Sequence, residues 1–271
     1  MSDWTRTLFN GAYLKTEGLR LHPQLTRHEC RLGIKLLELK PSDQILDLAC
    51  GHGRHSLELA RQGFEHVTGL DASVVAIEQA RASGVGLKAQ FILGDMRNLN
   101  YEHEFDAVFS FYNSLFYWDD QTHLSILEGI YKALKPGGRL LIDSHNPFFV
   151  VHGRLIQQHR VFGRMLAVRQ QLGKLSAWLR YSIRNPGQAK AWHKTIAQFD
   201  PKTGVMRGVK HFHTGTEVET HPLEMRMYTL TEVKKLLEQA GFEVQQVVSS
   251  DGGTFKDSSP RFITLALKRQ S

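Results

Sequence analysis

Helical and strand-like patterns alternate between residues 24 and 147, and that alternation is the tightest constraint the sequence places on its fold. Short apolar runs at 44–49 (QILDLA), 67–70, 90–93, 106–111 and 139–143 read as buried strands. Between them, 24–39, 54–61, 73–82 and 122–134 space their apolar residues as helices do. Lys40-Pro41 and Gly63 stop the first two helices, Ser73 can cap the third, and Lys135-Pro136-Gly137-Gly138 is a turn. This order implies a parallel sheet covered by helices on both faces. The pattern then changes. Strand-like stretches follow at 165–172, 175–183, 191–199 and 205–213, the last two flanking the turn signal Asp200-Pro201-Lys202-Thr203-Gly204. A helix at 231–240, expected to be capped by Thr231 with Lys234 at its third position and stopped by Gly241, restores the α/β pattern. Strands at 243–248 and 262–267 close it. The expected division is a core of residues 1–147 and 216–271, with 148–215 inserted after the fifth strand as an antiparallel β lid.

Composition bounds the class. Hydrophobic residues make up 41% of the 271 and charged residues 23%, which suits a globular chain and not a disordered one. The two cysteines, Cys30 and Cys50, exclude a disulfide framework and favour a reducing compartment. The first twenty residues lack a signal peptide's apolar stretch, and no run approaches the ~20 apolar residues of a membrane span. A cytoplasmic protein that does not engage a membrane is the expectation.

The first strand runs into Asp47-Leu48-Ala49-Cys50-Gly51-His52-Gly53-Arg54. Gly51 and Gly53 permit a tight turn and close approach of a ligand, and the next helix offers free N–H groups to a negative charge. Asp71 ends the following strand, about 20 residues on, where a carboxylate can accept both ribose hydroxyls. Asp95 ends the third strand and could bond an adenine amino group. Two ligands suit such a loop, a dinucleotide and S-adenosylmethionine (SAM). A dinucleotide loop needs a third glycine, but Ser56 stands there. Asp47 instead suits a ligand that ends in an ammonium.

With these residues the sequence resembles the class I SAM-dependent methyltransferases. The resemblance rests on five segments in order: 45–53, Gly69-Leu70-Asp71-Ala72-Ser73, Gly94-Asp95-Met96, Phe105-Asp106-Ala107-Val108, and 134–140. One departure is Ala49, where the family often has glycine. The resemblance implies a Rossmann-like, doubly wound seven-stranded sheet of order 3-2-1-4-5-7-6, with strand 7 antiparallel. It also implies SAM as cofactor, with Asp47, Ala49, Gly51 and Gly53 at the methionyl end. Asp71 and Ala72 would hold the ribose, Asp95 and Met96 the adenine, and Phe111 and Tyr112 would lie beside the sulfonium. An N-terminal segment around Phe9 and Tyr13 is similar to those that close an aromatic over SAM.

The acceptor is less constrained. Tyr112–Trp118 lacks the prolines of the loop that many nucleic-acid amine methyltransferases carry after the fourth strand. The whole looks more like small-molecule methyltransferases with a lid. Residues 148–215 hold twelve Lys/Arg and one acid, so the lid carries +11 and the remainder −4 of the net +7. Lid cations that face inward would bind a carboxylate or phosphate; Arg180, Arg184 and Trp178 share one strand face and are the candidate substrate contacts. His145, Tyr117 and Tyr13 are the candidate catalytic groups, with His55 as a further one, should the acceptor need a base. His193, His211 and His213 could gather around a metal, but no acid or cysteine accompanies them within the lid apart from Asp200 in the turn, and no metal is expected. The leading reading is methyl transfer to an N or O atom of a small metabolite, anionic if the lid cations face it. The alternatives are an RNA methyltransferase whose lid grips phosphates, and a SAM-binding protein without catalysis.

Overall fold

The computed structural model describes residues 7–17, 21–149, 191–214 and 217–269. The expected strands at 165–172 and 175–183, and with them Trp178, Arg180 and Arg184, lie outside the described residues. Among the described residues ten strands form two sheets. The larger contains β1 (Gln44–Leu48), β2 (His66–Asp71), β3 (Ala89–Leu93), β4 (Phe105–Ser110), β5 (Leu134–His145), β9 (Phe242–Ser249) and β10 (Arg261–Lys268), in the order β3-β2-β1-β4-β5-β10-β9. Strand β10 runs antiparallel to both β5 and β9, and the other neighbouring pairs are parallel. This is the doubly wound order expected from the sequence.

Helices α2 (Pro23–Leu36) and α3 (Arg54–Arg61) cover one face. On the other lie α5 (Asp120–Ala133) and α6 (Leu230–Gln239). Helix α4 (Val74–Ser83) follows β2, its Ala76 amide donating to Ser73 Oγ at 3.3 Å. Strand alternation decides which side chain meets which layer. Leu46, Leu48, Val108, Leu140 and Ile142 enter the core with α5 and α6, whereas Ile45, Ala107, Phe109 and Leu141 enter the core with α2 and α3. Asp47 and Asp143 share the parity of Ile45 and Leu141. Both carboxylates are therefore buried beneath α2 and α3.

Two local expectations are corrected. Residues 135–138, expected as a separate turn, lie inside β5 and swell that strand, which pairs Leu134 with Phe105 and Arg139 with Ala107. Helix α6 is capped by Thr229, not Thr231. Thr229 Oγ1 accepts from the Glu232 amide while the Glu232 carboxylate accepts from the Thr229 amide, a reciprocal box that Lys234 could not make.

The second sheet is antiparallel: β6 (Ala191–Asp200), β7 (Val205–Thr214) and β8 (Glu217–Arg226). Its first two strands are the expected hairpin. The third lies beyond residue 215, in the stretch assigned to the core from sequence. It brings Glu217, Glu219 and Glu224 into this layer, and Glu224 pairs with Arg207 at 2.8 Å. The β7 register sets His193 opposite Phe212, so it stands on the face away from His211 and His213. The three histidines do not gather. On the Phe212 face, Leu223 and Met225 pack against Leu8 and Ala12 of the N-terminal segment, which carries α1 (Gly11–Glu17). Asn10 fixes that segment: Oδ1 accepts the Ala12 and Tyr13 amides, and Nδ2 donates to Glu219 at 2.7 Å. Both cysteines are buried and free, and among the described residues no helix is long and apolar enough to cross a membrane.

Candidate functional site

The chain turns sharply where β1 ends. Ala49, Gly51 and Gly53 all have left-handed backbone, at φ 62°, 56° and 77°. Each position constrains its residue differently. A Cβ on Gly53 would stand 2.5 Å from the Phe91 ring, so this glycine serves packing and lines no described cleft. A Cβ on Gly51 would meet nothing within 4 Å and would project into open space that a ligand could use. Ala49 keeps the left-handed conformation at a cost of roughly 1–2 kcal/mol that glycine avoids. Ala49→Gly is therefore expected to leave the fold as stable or raise its stability by up to about 1 kcal/mol, after the entropy glycine adds to the unfolded chain. Urea unfolding of the two proteins measures this, and a loss above about 1 kcal/mol would contradict the strain.

Asp71, at the end of β2, organises the loop. Its Oδ2 accepts the Gly51 amide and its Oδ1 the Ser73 amide, both at 2.8 Å. Burial raises its pKa, and these amides act against that rise. Ser73 Oγ donates to the Phe9 carbonyl at 2.7 Å and so ties the N-terminal segment across the loop. Phe9 meets Tyr13 and Tyr117 edge-on, with centroids 4.9 and 5.4 Å apart. These three rings roof a cleft of about 810 Å³ floored by Ala49, Gly51 and Asp71. Ala72, Asp95, Met96 and Trp118 also line it. The Asp95 carboxylate is held by Arg97, whose Nη2 lies 2.5 Å from Oδ2 and whose guanidinium sits 5.0 Å from the Trp118 ring centre. A ligand amino group would have to share Asp95 with Arg97.

A second cleft of about 610 Å³ adjoins the first and shares Tyr13, Leu14, Ala49, Gly51 and Ser114 with it. Asp47 lies at its base, accepting from Ser56 Oγ at 2.6 Å. Burial pushes the Asp47 carboxyl up to about 7, against the Ser56 hydrogen bond and the Arg54 charge. Phe111 and Tyr112 line this cleft and not the first. Phe111 stacks on His55 at 4.5 Å. Tyr112 and Asn113 have left-handed backbone, held by Asp143: its Oδ2 accepts the Tyr112 amide at 2.8 Å and its carbonyl the Asn113 amide at 3.0 Å.

Of the three candidate catalytic groups, Tyr13 and Tyr117 both line the first cleft, each packed against Phe9. His145 lines neither described cleft, and burial with the nearby Arg261 charge lowers its pKa to about 4. It is a weak base, uncharged at neutral pH. The fallback His55 is likewise held to about 4, by burial and then Arg54.

Sequence reasoning passed over a buried ionic group behind the second cleft. Glu29, on α2, accepts from Arg54 at 2.6 Å and from His55 at 3.1 Å, and meets Arg261 at 3.4 Å. Arg261 also pairs with Asp143. The two guanidiniums flank the Tyr112 ring at 5.0 and 4.4 Å from its centre. A signal existed: Glu29 falls in the same buried helix stripe as Thr26, Cys30 and Gly33.

Residues 45–138 match the methyltransferase-domain family Methyltransf_25. The chain carries a class I SAM-dependent methyltransferase domain. The methyltransferase is 28% identical over 226 residues to a putative methyltransferase, YqeM, of Bacillus subtilis, a match covering 82% of this chain and 81% of the relative. It is 28% identical over 141 residues to phosphoethanolamine N-methyltransferase 1 of Zea mays, covering 51% of this chain and only 26% of that relative's length. A SAM-dependent methyltransferase of Clostridium acetobutylicum shares its fold, with TM-score 0.68 at 17% identity over 95% of this chain and 96% of the other.

Proposed function

We propose that the methyltransferase transfers the methyl group of SAM to a nitrogen or oxygen atom of a small anionic metabolite. The observation that supports the cofactor's placement is the roofed cleft over Asp71, where Gly51 leaves room that a side chain would fill. SAM supplies an electrophilic methyl group on a sulfonium. In this reading Asp71 accepts the ribose hydroxyls, and Ala72, Met96 and Trp118 bound the adenosine. Asp95 turns toward the adenine by sharing its oxygens with Arg97. Asp47, Ala49 and Gly51 take the methionyl end, and Gly53 acts through packing. Phe111 sets the wall beside Tyr112, which faces the sulfonium end. Tyr13 and Tyr117 close from above, exclude water and align the acceptor, which is much of what an in-line displacement requires. His145, uncharged and outside both clefts, is not assigned the role of base.

The anionic acceptor is supported by the basic stretch 148–215 and by the phosphate-bearing substrate in the name of the maize relative. We read 148–226 as the lid, with β6, β7 and β8 as its described part and Trp178, Arg180 and Arg184 as its substrate contacts. Incubation with methyl-labelled SAM and two pools, a low-mass metabolite filtrate and total RNA, tests this. Label in an anion-exchange-retained metabolite is expected. Label in RNA, with activity falling steeply as salt rises, would favour the phosphate-gripping alternative. No label in either pool would leave a binding protein without catalysis.

The Asp47 placement has a pH consequence. A carboxyl with pKa near 7 is largely protonated below that pH, and only its ionised form attracts an ammonium. SAM affinity is expected to rise as pH increases through about 7, by up to about tenfold per unit below it. Asp47→Asn should bind more weakly and flatten that slope. An unchanged slope in titrations from pH 5.5 to 8.5, a span of about three units, would remove Asp47 from the role.

A further inference from the structure

Arg54 is the first residue of α3 and lines the second cleft. Its side chain is 10% exposed. Nη1 is committed to Glu29 at 2.6 Å and to Thr26 Oγ1 at 3.0 Å. Nη2 is buried and has no hydrogen-bond partner among the described residues. Leaving an N–H of a guanidinium dry and unpaired is costly, and buried polar atoms in folded proteins are nearly always satisfied. An N–H kept in that state at a cleft wall points to an acceptor that arrives with a ligand. The guanidinium cannot simply turn away, because Glu29 holds one branch and the Tyr112 ring lies against its plane.

The neighbouring groups define that acceptor. His52 and His55 line the same cleft, and burial followed by the Arg54 charge lowers the pKa of each. Arg54 is then the charged donor among the described lining residues, and Asp47 is the carboxylate. One cleft thus offers a cation with an unmet donor and an anion a short span away. That pairing matches a zwitterion.

We propose that Arg54 Nη2 receives the carboxylate of an α-amino-acid end whose ammonium faces Asp47, with Glu29 as the positioning residue for Arg54. This rests on the placement of SAM given above, and makes its methionyl carboxylate the group that Arg54 reads. A ligand lacking that end should be indifferent to Arg54.

Two ligands isolate the contact. S-adenosylhomocysteine has the amino-acid end, and 5′-methylthioadenosine keeps the adenosine and thioether without it. Calorimetric titration of the full chain and of Arg54→Gln is expected to show S-adenosylhomocysteine weakened about 30-fold while 5′-methylthioadenosine stays within about twofold, as for loss of one charged hydrogen bond. Retained 5′-methylthioadenosine binding also reports that the variant is folded. Should Arg54→Gln fail to fold, Arg54→Lys keeps the charge, loses the fork, and is expected to weaken S-adenosylhomocysteine by at least about fivefold with 5′-methylthioadenosine unchanged. Equal changes for both ligands, or none for S-adenosylhomocysteine, would overturn the proposal. Failure of the unmodified chain to bind either ligand would overturn the cofactor placement itself, and the Arg54 role with it.

Discussion

Replacing Glu29 by alanine is expected to cost about 3–5 kcal/mol of stability, because it strips the shared acceptor from two buried arginines. Glu29 is 2% exposed. Removing it leaves Arg54 with Thr26 and the Tyr112 ring, and Arg261 with Asp143 and the same ring. The uncompensated charge and the void act in the same direction. The effect has a pH signature. Burial on its own would raise the Glu29 pKa, but the His55 hydrogen bond and the Arg54 charge prevail and lower it to about 2. A carboxylate with a lowered folded pKa stabilises above its unfolded value and loses that contribution as pH falls toward the folded one. The difference in unfolding free energy between the two proteins should therefore be full at pH 7 and shrink between about pH 4.5 and 2. Urea unfolding across that range measures it. A difference below about 1 kcal/mol at pH 7 would mean that the arginines find other partners.

Asp71→Ala is expected to weaken SAM binding by about 100-fold or more, with a smaller effect on stability. Two losses combine. The ribose hydroxyls lose their acceptor, and the Gly51 and Ser73 amides lose theirs, each at 2.8 Å. The second loss frees the glycine loop and the Ser73 hydroxyl that ties down Phe9, so the roof loosens with the floor. Asp71→Asn keeps one acceptor oxygen and should retain more affinity. Equilibrium dialysis with labelled SAM separates the cases. Affinity within about threefold of the parent for Asp71→Ala would place the ribose elsewhere.

The sheet was legible because its constraints are local. Parallel strands need unbroken apolar runs, and the loops after them announce themselves with Gly or Asp, as at Gly51 and Asp71. Errors fell where two candidates for one role stood close together. Thr229 and Thr231 are both plausible caps, and only the partner at the third position, Glu232 or Lys234, decides between them. Strand β8 was missed because Pro222 and alternating acids disguise a strand whose pairing with β7 is fixed by the Phe212 face. The Asp71 and Asp47 positions followed from motif spacing. The Glu29–Arg54–Tyr112–Arg261–Asp143 group did not, because it joins residues up to 232 apart in the chain. Gly53 could not be distinguished from Gly51 until the Phe91 ring was in place. Asp95 looked like a free ligand until Arg97, two residues on, was seen to hold both its oxygens.

A crystal structure of the methyltransferase with S-adenosylhomocysteine bound tests the central assignment most directly. The expected result is a ligand with its ribose on Asp71, its adenine beside Met96 and Trp118, and its amino-acid end between Asp47 and Arg54 beneath Phe9, Tyr13 and Tyr117. A ligand bound outside these two adjoining clefts, or bound in them with its amino-acid end away from Asp47, would contradict it.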